Sequence, residues 1–170
     1  SPLVRPSTIE DLVRTREENN AAVVVLTMEA SDPFGYGRIV RDDAGDVVEI
    51  VEQKDCTPEQ AAITECNSGF YCFDIELLFS ALEEVSTDNA QGEYYLTDVL
   101  GIARKRGQRV LVFKAEDPTE CLGVNSRIQL AQATRILQQR INEAHMAAGV
   151  TMMDPSTTWI GPDVSIEQDV

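Results

Sequence analysis

One histidine, His145, stands in 170 residues, and that scarcity removes much chemistry at once. Ser-His-Asp and Cys-His catalysis depend on an imidazole base, so chemistry in this chain rests instead on carboxylates, amides, backbone groups or a metal. Cys56, Cys66, Cys72 and Cys121 show no C-x-x-C spacing, and with a single histidine they make no four-ligand structural zinc set. Scattered thiols of this kind read as reduced, which points to the cytoplasm. Basic residues are also few: 14 Lys+Arg against 29 Asp+Glu leave a net charge of −15. A face that neutralises phosphates along a nucleic acid, or a polybasic membrane anchor, has no material here. No apolar run approaches the ~18 residues of a membrane span. The start, Ser1 to Pro6, lacks the basic and apolar regions of a secretory signal. Neither G-x-G-x-x-G nor G-x-x-x-x-G-K-[ST] occurs, so no Rossmann fingerprint or P-loop is present.

What is there suits a folded domain, alone or with a small appendage: 43% of residues are hydrophobic and 25% charged. Pro6-Ser7-Thr8-Ile9-Glu10-Asp11 has the hydroxyls and acids of a helix start. Ala22 to Met28 is continuous and β-branched, as in a strand covered on both faces. Gly37 to Val40 and Val47 to Glu52 flank an Asp/Gly-rich turn and form a hairpin signal. A short helix follows from Thr57-Pro58, then a strand from Thr64 to Phe73. Helical spacing covers Ile75–Leu82 and Thr97–Lys105, with a strand over Gln108–Lys114. The longest helix runs from Ser126 to about Ala148, with Leu130, Ala133, Leu137, Ile141 and Ala144 on its apolar stripe. Strands alternating with helices, with one hairpin excursion, predict an α/β layer architecture.

Beyond Asp154-Pro155-Ser156 the pattern changes. Ile160 and Ile166 lie six residues apart, and Val164 and Val170 repeat the step. That period marks the onset of a parallel β-helix, although two repeats are equally compatible with a surface hairpin.

Five segments carry candidate chemistry. Asp32-Pro33-Phe34-Gly35-Tyr36-Gly37-Arg38 is a loop in which Gly37 lets backbone approach a ligand, or simply a Pro/Gly turn. Val51-Glu52-Gln53-Lys54-Asp55 places a carboxylate and an ammonium at a strand mouth, where a solvated strand end is the ordinary reading. Asn67, in Cys66-Asn67-Ser68-Gly69, must satisfy a buried amide and so either ties backbone or reads a polar ligand. Gln91-Gly92-Glu93-Tyr94-Tyr95-Leu96-Thr97-Asp98 contains a plausible helix cap with Tyr rings in a core, which leaves Gln-Gly-Glu unexplained. In Gly123-Val124-Asn125-Ser126-Arg127, Asn125 or Ser126 is the natural N-cap of the long helix, and the Asn125 amide oxygen also suits a metal or phosphate.

In this order, G-Y-G-R, V-E-x-K-D, C-N-S-G, Q-G-E-Y-Y-L-T-D and G-V-N-S-R, the chain resembles the bacterial bifunctional N-acetylglucosamine-1-phosphate uridylyltransferase / glucosamine-1-phosphate N-acetyltransferase family. The family has I-N-T-G and G-V-N-N-R at two of these places, and both differences keep the asparagine. The likeness implies the C-terminal part of a Rossmann-like nucleotidyltransferase domain with a mixed sheet over residues 1–153. It implies the first coil of a left-handed β-helix acetyltransferase domain over 154–170. The implied reaction joins UTP and N-acetylglucosamine 1-phosphate into UDP-N-acetylglucosamine and diphosphate, in a cytoplasmic enzyme of peptidoglycan and lipopolysaccharide precursor synthesis. It also implies that Gly37, Glu52 and Asn67 contact the N-acetylglucosamine moiety and that Tyr95 and Thr97 lie near its acetyl group. Asn125 would bind product and supply one Mg²⁺ ligand, and Lys54 is a weaker phosphate contact. No residue of the chain is implied as a catalytic acid or base.

The family's glycine-rich L-A-A-G-x-G-T-R-M loop and its metal aspartate precede a Pro-Leu that Pro2-Leu3 matches, so the resemblance places both outside these residues. The acetyl-CoA site of the acetyltransferase domain falls outside them as well. The expectation is therefore a chain that turns over nothing alone and self-associates through an exposed sheet edge, from a parent that trimerises through its β-helix. The partners expected are a sugar phosphate and a nucleotide, not nucleic acid or membrane. A non-catalytic sugar-nucleotide-binding or scaffolding module is the alternative, and a glucose or mannose nucleotidyltransferase is a nearer one.

Overall fold

A strand with no polar alternation has to be covered on both faces, and Val23–Glu29 (β1) meets that requirement, with Val23, Val24, Val25 and Leu26 all at 0% exposure. The computed structural model describes residues 1–170. Within it, β1 is flanked by Glu65–Phe73 (β4), antiparallel, and by Val110–Lys114 (β5), parallel. The hairpin Arg38–Arg41 (β2) and Val47–Val51 (β3) completes a five-stranded mixed sheet of order β3-β2-β4-β1-β5. Alternate side chains of β1 divide between two cores. Val23 and Val25 pack with Leu77 of Ile75–Leu82 (α3) and with Leu100 and Ala103 of Asp98–Lys105 (α4). Val24, Leu26 and Met28 pack with Leu12 of Pro6–Asn19 (α1) and with Cys121 of the 3₁₀ turn Pro118–Cys121. Helices on both faces of a mixed sheet give the layer architecture expected from the alternation.

The caps differ in part from expectation. Thr57 and Gln60 form the capping box of Pro58–Ala61 (α2), and Asp74 caps α3 through the Leu77 N–H at 3.0 Å. At α1 no hydroxyl caps the helix and no acid lies in its first turn; the N-cap is Arg5. The buried carboxylate of Glu120, from the 3₁₀ turn, does this work from across the fold. It accepts the Arg5 N–H at 3.0 Å and the Thr8 hydroxyl at 2.5 Å.

These elements form one compact unit, Val4–Cys121; Ser1–Leu3 and Leu122–Val170 form the other. In the second, Ser126 caps Arg127–Ala147 (α5) by accepting the Gln129 N–H at 3.1 Å. The expected apolar stripe of α5 holds only in part: Ala133 is buried and Ile141 half-buried, but Leu130 and Leu137 are exposed, and Gln138 and Asn142 are buried off the stripe. The buried amides earn their place by donating to tail carbonyls. Gln138 reaches Thr158 O at 2.5 Å, and Asn142 reaches Pro155 O and Thr158 O at 2.8 Å each. Residues 150–170 form turns and no strand, closed by Thr151 N–H to Val170 O at 2.9 Å and Asp169 N–H to Gly149 O at 3.1 Å.

Glu120→Ala strands two donors at the start of α1, and a loss of about 2–3 kcal/mol is expected in urea unfolding, since hydrogen bonds to a charged group are among the stronger ones. Glu120→Gln, which keeps one acceptor, should recover part of that loss.

Candidate functional site

The hairpin joins the rest of the sheet at one ladder pair, Arg38 with Cys66, continued by the Asn67 N–H donating to Gly37 O at 2.8 Å. Three of the candidate residues meet at this seam. A Cβ built on Gly37 would lie 2.9 Å from Ile50 Cγ2, 3.3 Å from Glu52 Oε1 and 3.5 Å from Asn67 Cβ. The glycine is therefore required by space, and Gly37, Glu52 and Asn67 share one small surface. Thr97 joins them, its hydroxyl donating to Glu52 Oε1 at 3.5 Å.

A bulge sets Asn67 in place. The β1–β4 register slips between Val25 and Thr27, so that Ser68 to Phe70 bow out opposite Leu26. Gly69 takes φ +83°, a left-handed conformation that favours glycine, and the Ser68 hydroxyl donates to Leu26 O at 2.6 Å in place of the missing ladder bond. The Asn67 side chain is then fixed at both ends: Nδ2 donates to the Tyr71 hydroxyl at 2.6 Å, and Oδ1 accepts the Gly69 N–H at 2.9 Å. Both readings of its sequence survive. The amide ties backbone, yet a primary amide has two N–H groups and two lone pairs, so a donor and an acceptor are left over. Burial pushes the Tyr71 phenol up to about 12, so it stays protonated against that amide.

The Gln91–Asp98 segment is held over this surface by polar contacts with the end of β3. Lys54 Nζ donates to Gln91 Oε1 at 2.7 Å, and Gln91 Nε2 donates to the Tyr95 hydroxyl at 2.7 Å. Asp55 accepts the Ala90 N–H at 2.8 Å and the Tyr95 hydroxyl at 3.3 Å. The Gln-Gly-Glu stretch is thus the anchor of a loop. Two expectations are corrected here. Thr97 heads α4, but its side chain makes no capping bond and is spent on Glu52. Tyr94 is 76% exposed and belongs to no core.

The Glu52 carboxyl is held above its ordinary value, chiefly by burial, with Asp55 and Asp98 adding repulsion; the Thr97 hydroxyl and the Arg38 guanidinium oppose them. Burial likewise raises Asp98, with Asp55 contributing. Asn125 belongs to the other compact unit, exposed, with its N–H donating to Gln129 Oε1 at 2.7 Å. A cleft of about 480 Å³, lined by Arg16, Asp74, Ser80 and Arg106 among others, includes none of the candidate residues.

Sequence reasoning missed Arg38. It is quoted in the G-Y-G-R motif without a role, yet it is 1% exposed. The available signal was a lone charge at the head of the apolar strand Arg38-Ile39-Val40.

A mixed sheet layered between helices, with a polar surface at a strand mouth, is an α/β layer architecture on which many sites can be built. Residues 3–151 match the nucleotidyl transferase family, and the chain belongs to it. A solved UDP-glucose pyrophosphorylase, complexed with UDP-glucose, shares the fold at a TM-score of 0.61 and 20% identity, over 80% of this chain and 51% of that one. Within the family, the motif resemblance leads to the bifunctional protein GlmU. The Lactobacillus delbrueckii subsp. bulgaricus protein is 56% identical over 99% of this chain, and that of Halalkalibacterium halodurans is 52% identical over the same share. The chain spans 37% of the length of these curated relatives.

Because the folded state binds the Glu52 proton more tightly than an unfolded chain does, ionising this carboxyl costs stability at neutral pH. The cost fades as pH falls through the raised value toward 4.5. Glu52→Gln should therefore melt above the parent chain at pH 7–8, with the difference closing below about pH 4.5, the region where an ordinary glutamate takes up its proton. Thermal unfolding followed by circular dichroism across pH checks this.

Proposed function

We propose that Val4–Cys121 carries the sugar-phosphate half of a uridylyltransferase site, in a protein that makes UDP-N-acetylglucosamine and diphosphate from UTP and N-acetylglucosamine 1-phosphate. The observation that carries this reading is the convergence of Gly37, Glu52, Asn67 and Thr97 at the hairpin seam. The spare donor and acceptor of Asn67 match an acetamido group, which itself offers one carbonyl and one N–H. The Glu52 carboxylate accepts hydrogen bonds from sugar hydroxyls, and Gly37 leaves room for the ring. Tyr95 and Thr97 stand beside the acetyl group. Lys54, already donating once to Gln91, keeps two further N–H groups for a phosphate.

The attacking atom in this reaction is a phosphate oxygen that is already anionic, so no general base is needed, which agrees with a chain holding one histidine. The work of these residues is then to bind and orient the sugar phosphate for in-line attack. The family implies Mg²⁺. Asn125 offers one hard amide oxygen, and no group of three or more His, Cys, Asp or Glu side chains is placed to hold a metal. That donor set fits an ion that keeps waters and substrate phosphates in most of its positions. Bound there, Mg²⁺ supplies charge neutralisation on the phosphates.

We further assign residues 1–153 to the uridylyltransferase domain and 154–170 to the start of a left-handed β-helix that acetylates glucosamine 1-phosphate with acetyl-CoA in a cytoplasmic homotrimer. The support is the hexapeptide step and the pairing of residues 149–151 with 169–170, about three hexapeptide lengths on. On the outer side of β4 only Cys66 has a ladder partner, an open edge that supports self-association of the chain.

Saturation-transfer NMR with UDP-N-acetylglucosamine should show signal at the acetyl methyl, and UDP-glucose should be transferred far more weakly. Asn67→Ala should remove the acetyl signal; its persistence in the variant would place the acetyl group elsewhere. No glycine-rich nucleotide loop occurs in these 170 residues, so the chain alone is expected to form no UDP-N-acetylglucosamine in a coupled diphosphate assay. Measured turnover would contradict that expectation.

A further inference from the structure

Arg38 is the largest fully buried side chain in the protein, and no carboxylate pairs with it. Its hydrogen bonds all go to neutral oxygens. One Nη donates to Tyr36 O, and the other donates to Gln53 Oε1 at 2.7 Å and to Ala61 O at 3.5 Å. Nε makes no hydrogen bond and is closed off from solvent. A buried cation without an anion is expensive, and replacing it with packed apolar residues is often neutral or stabilising. The contacts show what is held in return. Gln53 Oε1 also accepts the Gly35 N–H at 3.0 Å, so one guanidinium and one amide clamp Gly35 and Tyr36, which lead into Gly37, to the residue after Glu52. The same charge lies close enough to act on Glu52, Cys56 and Cys66, opposing the effect of burial on each.

We propose that Arg38 is a positioning residue of the sugar site: its buried guanidinium, together with the Gln53 amide, locks the Gly35–Gly37 turn against the Glu52–Gln53 strand end. This rests on the reading of that surface as a sugar site, but the clamp and the charge coupling are testable without a ligand. Closed off from solvent, Nε cannot reach a phosphate, so Arg38 acts through Glu52 and Gly37 and not by contact. Ionised Glu52 can only accept hydrogen bonds, which fits sugar hydroxyls; protonated, it would compete with them as a donor. The groups that set its state are Arg38 from β2, Thr97 and Asp98 from the head of α4, and Asp55 from its own loop. Tyr71 of β4 feels the same carboxylate, as do Cys56 and Tyr95.

The test is a ¹³C NMR titration of the Glu52 carboxyl in the 170-residue chain and in Arg38→Met, Arg38→Lys and Gln53→Ala, with amide spectra confirming the fold of each. Arg38→Met should speed amide exchange at Gly35 and Gly37 at least tenfold and move the Glu52 midpoint upward, the direction expected when a nearby opposite charge is lost. Arg38→Lys, which restores charge without the planar fork, should return the midpoint toward that of the parent. Gln53→Ala leaves Arg38 intact, so it should keep the midpoint and speed amide exchange at Gly35 and Gly37 at least tenfold. Unchanged exchange at Gly35 and Gly37 in a folded Arg38→Met, or in Gln53→Ala, overturns the proposal. Should Arg38→Met fail to fold, Gln53→Ala still decides it: unchanged exchange at Gly35 and Gly37 counts against it. Acetyl saturation transfer on the same samples separates the two readings. Loss of the clamp signals with intact acetyl recognition sinks only Arg38's role, whereas an intact clamp with no acetyl recognition sinks the sugar site.

Discussion

Everything at the candidate site depends on one narrow joint, where β2 meets β4 through the Arg38–Cys66 pair and the 2.8 Å bond from Asn67 N–H to Gly37 O. A hairpin attached over so short a ladder has little backbone pairing to hold its angle to the sheet. Space and charge supply the remainder. Gly37 has to be a glycine because Ile50 and Glu52 occupy the volume of any side chain, and that closeness puts Glu52 beside Asn67. The same closeness pulls Glu52 out of water and raises its carboxyl, against which the Thr97 hydroxyl and, more weakly, the Arg38 charge act.

The polar loop above this joint shows a second constraint. Asn89 to Thr97 contributes little to the core before Thr97 itself, so burial cannot order it. It is ordered by Lys54, Asp55 and Glu52, three side chains within four residues at the end of β3, bonded to Gln91, to Ala90 and Tyr95, and to Thr97 respectively. Most of these contacts are exposed, and each alone is worth little. Together they fix one loop to one strand end, and a surface built in this way can loosen locally while the β1 core stays closed.

The regular elements were legible because they are periodic or capped. β1 was placed at Ala22–Met28 and lies at Val23–Glu29; the hairpin and the start of α2 at Thr57-Pro58 were visible from residue type alone. What stayed hidden depends on partners distant in sequence. The stripe on α5 misled in part because, beside Ala133, its buried positions are amides answering carbonyls at Pro155 and Thr158, a demand that no hydrophobic period records. The cap of α1 comes from Glu120, 115 residues after Arg5. Of the site, the motifs named Gly37, Glu52, Asn67 and Thr97, but not the bulge at Gly69 that orients Asn67 or the burial of Arg38. Asn125 was named with them, yet it sits in a separate compact unit.

The central claim is that the hairpin joint is a sugar-binding surface. The most direct measurement is an isotope-filtered NOE experiment on the labelled chain with UDP-N-acetylglucosamine. The account predicts cross-peaks from the acetyl methyl to the Asn67 side-chain amide and the Thr97 methyl, and from ring protons to Gly37 Hα. Cross-peaks confined to other surfaces, or a bound ligand with none at the joint, would contradict it.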